Sequence, residues 1–181
     1  MTDFIEMPKI ARLSRDIIVT EKLDGTNASI YIPEDGSPVL FGSRTRWITP
    51  ADDNYGFARW ATEHLTELLL LGPGHHFGEW WGQGIQRNYG LKEKRFSLFN
   101  VGRWGAPGVI LPDCVSLVPL LLTLPVFDTS RVDFLLESLR VNGSVAVPGW
   151  MKPEGVVVYH KASNTLFKKT LDKNDGNKGA A

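Results

Sequence analysis

Apolar residues at every second position recur along the chain and predict β-strands. The first such pattern appears at Ile17 and Val19, and it resumes after a polar break at Ala28, Ile30 and Ile32. The break, residues 21–27, contains an Asp-Gly step that is typical of a tight hairpin turn. The pattern therefore predicts a hairpin in which Lys22 lies at the end of the first strand.

The same alternation predicts further strands at residues 39–43, 75–81, 95–102, 155–160 and 165–171. The apolar segment 115–124 contains Pro119, which cannot donate to a strand ladder, so we expect an irregular or edge strand there.

Two segments have the apolar spacing of helices rather than strands. The first covers about residues 55–71, and the second covers about residues 131–140, with a cap in Asp128-Thr129-Ser130 and its end at Asn142-Gly143. Many strands in hairpin order with two or so helices predict an α+β domain of antiparallel sheets over residues 1–171. Residues 172–181 form a polar C-terminal tail.

Composition narrows the class of protein. The chain has 181 residues, 43% of them hydrophobic, which suits one globular domain with a substantial core. It has no apolar run long enough to span a membrane, no signal-peptide pattern and one cysteine, Cys114, so we expect a cytoplasmic protein without an internal disulfide. The formal net charge is zero, so any contact with nucleic acid must come from a local basic patch.

Lys22 is the first candidate for chemistry. The simplest interpretation of the segment is a hairpin turn with an exposed lysine beside it. The functional interpretation is that Lys22 is a nucleophile, mounted at a strand end and able to attack when its amine is neutral.

The segment Glu-Lys-Leu-Asp-Gly-Thr-Asn at residues 21–27 resembles motif I of the covalent nucleotidyltransferases, and most of all the nick-sealing type of RNA ligase. In that superfamily the motif lysine attacks the α-phosphate of a nucleotide. The resemblance implies that Lys22 is the nucleophile and that Glu21 and Asn27 contact the nucleotide or the acceptor phosphate. We expect Asp24 to hold the turn by its own hydrogen bonds.

Further segments resemble the other motifs in the family's order. Arg44 matches a cation that contacts phosphate, since a guanidinium meets phosphate oxygens bidentately. Glu79, in Phe-Gly-Glu-Trp, matches the acid that accepts hydrogen bonds from the ribose, and the segment 81–90 after it resembles the RNA ligases in particular. Phe99, in Phe-Asn-Val, matches the aromatic residue that stacks on the purine, with Phe96 as the second candidate.

The last two motifs lie near the C-terminus. Glu154, before a glycine and three valines, matches the residue that helps to hold a divalent metal. Lys168 and Lys169 match the lysines that meet the α-phosphate. Because adjacent side chains of a strand face opposite ways, only one of them can point into the site, and we favour Lys168.

The resemblance covers residues 17–171 and implies an adenylyltransferase fold without an OB domain. It also implies an ATP-dependent RNA ligase that forms lysyl-AMP with Mg²⁺ or Mn²⁺, transfers AMP to a 5′-phosphate and joins that end to a 3′-hydroxyl. The expected partners are RNA ends or a nicked duplex, together with an accessory protein in place of the C-terminal domain of larger ligases. The alternatives are a guanylyltransferase or DNA ligase of the same superfamily, or an inactive module that binds nucleotides or RNA ends.

Overall fold

The computed structural model describes residues 3–172, so the polar tail predicted at 172–181 lies outside the described residues except for Asp172. The strands are β1 (Ile17–Lys22), β2 (Thr26–Ile32), β3 (Leu40–Gly42), β4 (Trp47–Ile48), β5 (Gly74–Gly82), β6 (Lys94–Leu98), β7 (Val115–Leu117), β8 (Leu120–Leu124), β9 (Gly155–His160) and β10 (Thr165–Thr170). The α-helices are α1 (Phe57–Glu63), α2 (Leu65–Leu68), α3 (Val101–Trp104) and α4 (Thr129–Asn142). Within residues 3–172 no helix is both long enough and apolar enough to cross a membrane.

The strands form two sheets. One has four strands in the order β10-β9-β1-β8, and the other has six in the order β4-β3-β2-β5-β6-β7. The α+β class predicted from the sequence is confirmed, but β6 and β7 pair in parallel, so the expectation of purely antiparallel sheets is wrong at this edge. The parallel pair forms because α3 and a loop intervene between the two strands and return the chain to the same end of the sheet.

The hairpin predicted around Lys22 is wrong. β1 belongs to the four-stranded sheet and β2 to the six-stranded sheet, so the three residues between them carry the chain from one sheet to the other. Gly25 is needed here for a different reason than a hairpin turn requires. A Cβ atom at residue 25 would overlap the backbone carbonyl oxygen of Trp80 on β5, so only glycine allows this close approach.

Three apolar clusters show how the layers are arranged. The outer face of the six-stranded sheet packs against α1 and α2, where Ile30, Phe57 and Trp80 are buried together. The outer face of the four-stranded sheet packs against α4 through residues that include Val19 and Val132. A third cluster joins the two inner faces, with Trp81 of β5 near Ile18 of β1. The inner faces of the two sheets therefore line a cleft, and Lys22 lies at the end of one of them.

Two element boundaries differ from the prediction, and a third element agrees with it. The helix expected over 55–71 breaks at His64 into α1, α2 and a 3₁₀ turn. The strand expected over 95–102 ends at Leu98, because the Asn100 side chain accepts a hydrogen bond from the Arg103 N–H and caps α3. The segment 115–124 divides at Pro119 into two strands, each at the edge of a different sheet, which agrees with the expectation of an edge strand.

We predict that Gly78→Ala destabilises the fold. A Cβ atom at this position of β5 would lie 2.5 Å from the Ser97 carbonyl oxygen and 2.6 Å from the Phe96 ring. Such overpacking costs about 1–3 kcal/mol, measured as the free energy of unfolding in urea. Gly102→Ala is the matched control, since its Cβ would meet only ordinary contacts at 3.7 Å or more in α3. The packing account fails if Gly78→Ala is as stable as the wild type.

Candidate active site

Lys22 lies at the C-terminal end of β1, with its amine in the cleft. Its Nζ donates a hydrogen bond to Oε2 of Glu154 at 2.6 Å, and both side chains are largely buried. Glu154 directly precedes β9, and Lys22 is paired with Gly155, the first residue of that strand. Adjacent strands therefore hold the candidate nucleophile and the candidate metal ligand in contact.

The strand register separates the two lysines of β10. Lys168 is opposite Val157, which is opposite Thr20, and Thr20 shares a face of β1 with Lys22. Lys168 is thus on the cleft side of the sheet. Lys169 faces α4, where its ammonium group forms an ion pair with Asp133. This is the orientation that alternation along the strand predicts for the pair.

Glu79, on β5 of the six-stranded sheet, holds the segment that connects the two sheets. Its Oε1 accepts a hydrogen bond from the Gly25 N–H at 3.0 Å, and its Oε2 accepts one from Nδ2 of Asn27 at 3.3 Å. The residue is only 7% exposed. Glu79 therefore organises the motif I segment directly, a contact that its expected role at the ribose did not include.

Asp24 holds the segment through distant partners rather than within its own turn. Its carboxylate accepts a hydrogen bond from Nε of Arg87 at 2.7 Å, and its backbone N–H donates to the Tyr89 hydroxyl at 2.8 Å. Arg87 also pairs with Asp172 at 2.6 Å. The expectation that Asp24 holds its own turn is therefore corrected to an ion pair with a loop 63 residues away.

Arg87 and Tyr89 are site residues that motif reasoning missed. Both lie in the loop between β5 and β6, in the segment that resembles RNA ligases, but nothing in their spacing marks either one. Tyr89 and its neighbours Gln86 and Asn88 have φ values of 55°, 44° and 63°. Left-handed conformations cost energy for residues other than glycine and tend to occur at functional sites. These strained positions are visible only in three dimensions.

Glu21 does not point into the cleft. It is 1% exposed on the opposite face of β1, where it accepts hydrogen bonds from the Ser144 hydroxyl at 2.6 Å and from the backbone N–H groups of Val145 and Ala146 at 2.8 and 2.9 Å. Burial raises its pKa, and these three hydrogen bonds oppose the rise. The structure thus gives Glu21 an anchoring contact with the loop after α4, not the expected contact with a nucleotide or phosphate.

Two further predicted residues lie at the margin of the site. Phe99 directly follows β6, is 38% exposed, and its N–H donates to the carbonyl oxygen of Phe77. Phe96, the alternative stacking residue, is buried in the outer core and has no face open to a ligand. Arg44 is exposed in the turn after β3, and no hydrogen bond or ion pair joins it to another residue within 3–172. The structure therefore does not bring Arg44 into contact with the Lys22 group.

Buried acids dominate the electrostatics of the site. Burial raises the pKa of Glu79 to about 7, against the attraction of Lys22 and with support from the negative charges of Glu154 and Asp24. Burial also raises the pKa of Glu154, and the Lys22 hydrogen bond opposes this. Three carboxyl groups thus interact around one amine.

The carboxylate of Glu154 suits a hard cation that also binds phosphate oxygens of a substrate. Among residues 3–172, no group of three or more His, Cys, Asp or Glu side chains is arranged to hold a metal. Magnesium usually binds through one or two carboxylates plus phosphate oxygens. Glu154, a carboxylate in the cleft beside the amine, fits that mode of binding.

We predict that Glu79 makes stability depend on pH. Between its unfolded value of 4.5 and its folded value of about 7, the folded protein retains a proton that the unfolded chain releases. Its contribution to stability is therefore fully present below pH 4.5 and is lost as the pH rises through 7. Relative to Glu79→Gln, the wild type should lose roughly 3 kcal/mol of unfolding free energy over this range.

Urea unfolding of both proteins from pH 4 to 8 measures the difference. Glu137→Gln is the control, because the Arg140 hydrogen bond lowers the pKa of Glu137 and gives a dependence of opposite sign. Parallel curves for the wild type and Glu79→Gln would contradict the prediction.

Comparison with known proteins identifies the family. A model of the RNA ligase family matches residues 15–170. Among solved structures, the protein is similar to a lysine-to-alanine variant of the Naegleria gruberi RNA ligase with ATP and Mn and to a lysine-to-methionine variant with AMP and Mn, each with 20% identity and a TM-score of 0.62. An apo variant of that ligase is 21% identical, with a TM-score of 0.61.

Each match covers 87% of this chain and 50% of the other, so the chain spans half the length of these ligases. At this identity the structural likeness shows a shared fold. The family match covers most of the chain independently of that likeness. The protein belongs to the RNA ligase family.

Proposed function

We propose that the protein is an ATP-dependent RNA ligase in which Lys22 becomes covalently adenylylated. The observation that carries the proposal is the cleft geometry around Lys22: its amine is 2.6 Å from Glu154, and Lys168 is on the same sheet face. A mobile surface lysine would not be largely buried at a strand end against an acid. Because the chain belongs to the RNA ligase family, phosphoryl transfer at RNA ends is the reaction that this arrangement suits best.

In the proposed first step, Nζ of Lys22 in its neutral form attacks the α-phosphorus of ATP. A nitrogen–phosphorus bond forms, the bond from that phosphorus to the bridging oxygen breaks, and pyrophosphate leaves. AMP then passes to the 5′-phosphate of an RNA end, which regenerates the amine. A 3′-hydroxyl finally displaces AMP and forms the phosphodiester.

The residues around Lys22 have separate tasks in this proposal. Lys168 contacts the α-phosphate from the same sheet face, and Phe99 stacks on the adenine. Glu79 and Asn27 hold the segment from which Lys22 projects, and Glu79 has further acceptor capacity for the ribose. Arg87 holds Asp24 and so keeps the turn after Lys22 in place. Arg44 is assigned to a phosphate farther from the nucleophile.

A divalent cation, Mg²⁺ or Mn²⁺, would be held by Glu154 and by phosphate oxygens, and it would neutralise charge on the phosphate. The two variants of the Naegleria ligase with nucleotide also contain Mn. Since Glu154 is paired with Lys22, cation binding at Glu154 would also leave the amine without its partner.

The two facing sheets support the assignment of an adenylyltransferase domain of the nucleotidyltransferase fold to residues 1–171. In this fold the nucleotide occupies the cleft between the sheets. The inner faces here supply Lys22 and Lys168 from one sheet and Glu79 from the other.

We predict that the protein incubated with Mg²⁺ and α-labelled ATP acquires one AMP on Lys22, and that Lys22→Ala acquires none. Peptide mass spectrometry locates the label. Lys169→Ala is the matched control, because it removes a lysine from the outer face of the same four-stranded sheet, where Lys169 is paired with Asp133 of α4. Preferential labelling by GTP would favour a guanylyltransferase. No labelling with any nucleotide or divalent metal would leave an inactive binding module.

We predict that the two lysines of β10 differ in their effect on adenylylation. Lys168→Ala should slow single-turnover AMP transfer, by about 10- to 1000-fold if it removes a transition-state charge contact. Lys169→Ala should leave the rate near that of the wild type, since its partner Asp133 lies on α4. A slow Lys169→Ala beside a normal Lys168→Ala would show that β10 has the opposite register.

A further inference from the structure

Four aromatic rings lie on the inner face of the six-stranded sheet, beyond the Lys22 group. They belong to Tyr31, Trp47, His75 and Phe77, which we call the aromatic face. The register pairs Tyr31 with His75 and Asn27 with Glu79, so these positions share the face that Glu79 presents to the cleft. Trp47 pairs with Gly42 of β3, which brings it to the same face.

The rings, which belong to β2, β4 and β5, form one connected cluster around His75. His75 stacks on Trp47 with centroids 5.6 Å apart and an interplanar angle of 16°. The ring centroid of Tyr31 lies 4.7 Å from that of His75, and the ring centroid of Phe77, on the same strand as His75, lies 5.0 Å from it. The aromatic face is therefore a connected, nearly continuous surface.

Packing of the core does not account for this surface. The core of this sheet is on the other side, where Ile30 and His76 of the same strands are buried. Trp47 is 50% exposed and Phe77 is 55% exposed. Contiguous exposed apolar surface of this kind marks a binding site more often than it serves stability.

An exposed arginine lies in the turn that leads into Trp47, and its charge favours an anionic ligand. Arg44 precedes Trp47 by three residues, is exposed, and has no ionic partner within residues 3–172. Its neighbour Arg46 is already engaged by Asp52 at 2.6 Å. A ligand that offers both flat rings and phosphate charge satisfies both features, and single-stranded nucleic acid is bound in this way.

The dimensions suit several nucleotides. His75 is four residues from Glu79 along β5, which corresponds to roughly 13 Å at about 3.3 Å per residue. Stacked nucleotides advance about 3.4 Å each along a strand. The aromatic face can therefore follow the RNA chain away from the end that reacts.

We propose that the aromatic face binds the unpaired bases of an RNA strand whose end lies at Lys22. This inference rests on the proposed ligase function and specifies its substrate as single-stranded ends. In a duplex, base faces are stacked on one another and are not available to protein rings, and duplex RNA is recognised by its shape and backbone. The preferred substrate is accordingly an unpaired end rather than a nick in a duplex.

The test is binding of a fluorescent 5′-phosphorylated single-stranded RNA, measured by anisotropy. Trp47→Ala and His75→Ala should each weaken binding about 5- to 150-fold, the loss that corresponds to one stacked base. Trp47→Phe should retain most of the affinity. Phe134→Ala is the matched control, because Phe134 is a 65% exposed aromatic residue on α4, on the far side of the other sheet. Thermal unfolding shows whether each variant is folded.

A second probe, an abasic oligomer of equal length, carries the same charge without bases. The substitutions should leave its weaker binding unchanged. The proposal is overturned if the wild type does not bind the single strand, if folded Trp47→Ala and His75→Ala bind it normally, or if both probes lose affinity equally. It is also overturned if a nicked duplex binds more tightly than the single strand and neither substitution affects it.

The adenine of ATP is the other ligand to be distinguished from RNA at the aromatic face. If Phe77→Ala raises the ATP concentration needed for labelling and leaves RNA binding unchanged, the Phe77 ring belongs to the adenine site. The aromatic face as proposed is then wrong. AMP labelling of the wild type distinguishes failure of the proposed ligase function from failure of the proposed aromatic face. Absence of labelling refutes the ligase function, whereas labelling together with normal RNA binding by the Trp47 and His75 variants refutes only the aromatic face.

Discussion

The close contact between the Gly25 backbone and the Trp80 carbonyl group determines how the two sheets meet at the site. Because no side chain separates these backbones, the chain passes from β1 to β2 within three residues and stays against β5. Glu79 can then accept a hydrogen bond from the Gly25 N–H, and Lys22, only three residues earlier, remains beside it. With a larger residue at position 25, Lys22 and Glu79 would lie on surfaces that no longer face one another.

The charges at the site follow from this closeness. Burial makes Glu79 and Glu154 costly to ionise and raises their pKa values, and the negative charge of Asp24 raises both further. The positive charges of Lys22 and Arg87 offset part of this cost, one at Glu154 and the other at Asp24. The acids and cations of the site are therefore held as two ion pairs, Lys22 with Glu154 and Arg87 with Asp24.

The sequence predicted the strands well because alternation is a local signal. It also predicted the orientation of Lys168 and Lys169, since adjacent residues of a strand must face opposite ways. It failed at the Lys22 segment, where the same Asp-Gly step that forms hairpins instead connects two sheets. Sheet membership depends on long-range pairing that no short window contains. Arg87 could not be found for the same reason, because its partner Asp24 is 63 residues away.

The aromatic face was not visible in the sequence because both faces of β5 carry rings. His75 and Phe77 alternate with His76 and Trp80 along β5, and the pattern alone cannot tell which set is buried. The structure resolves this, since the outer set completes the core with α1 and the inner set remains open. Once one face of a strand has satisfied the requirement for burial, aromatic residues on its other face contribute little to folding. Their presence on the face that also carries Glu79, with Arg44 in the turn before Trp47, is then better explained by a ligand than by packing.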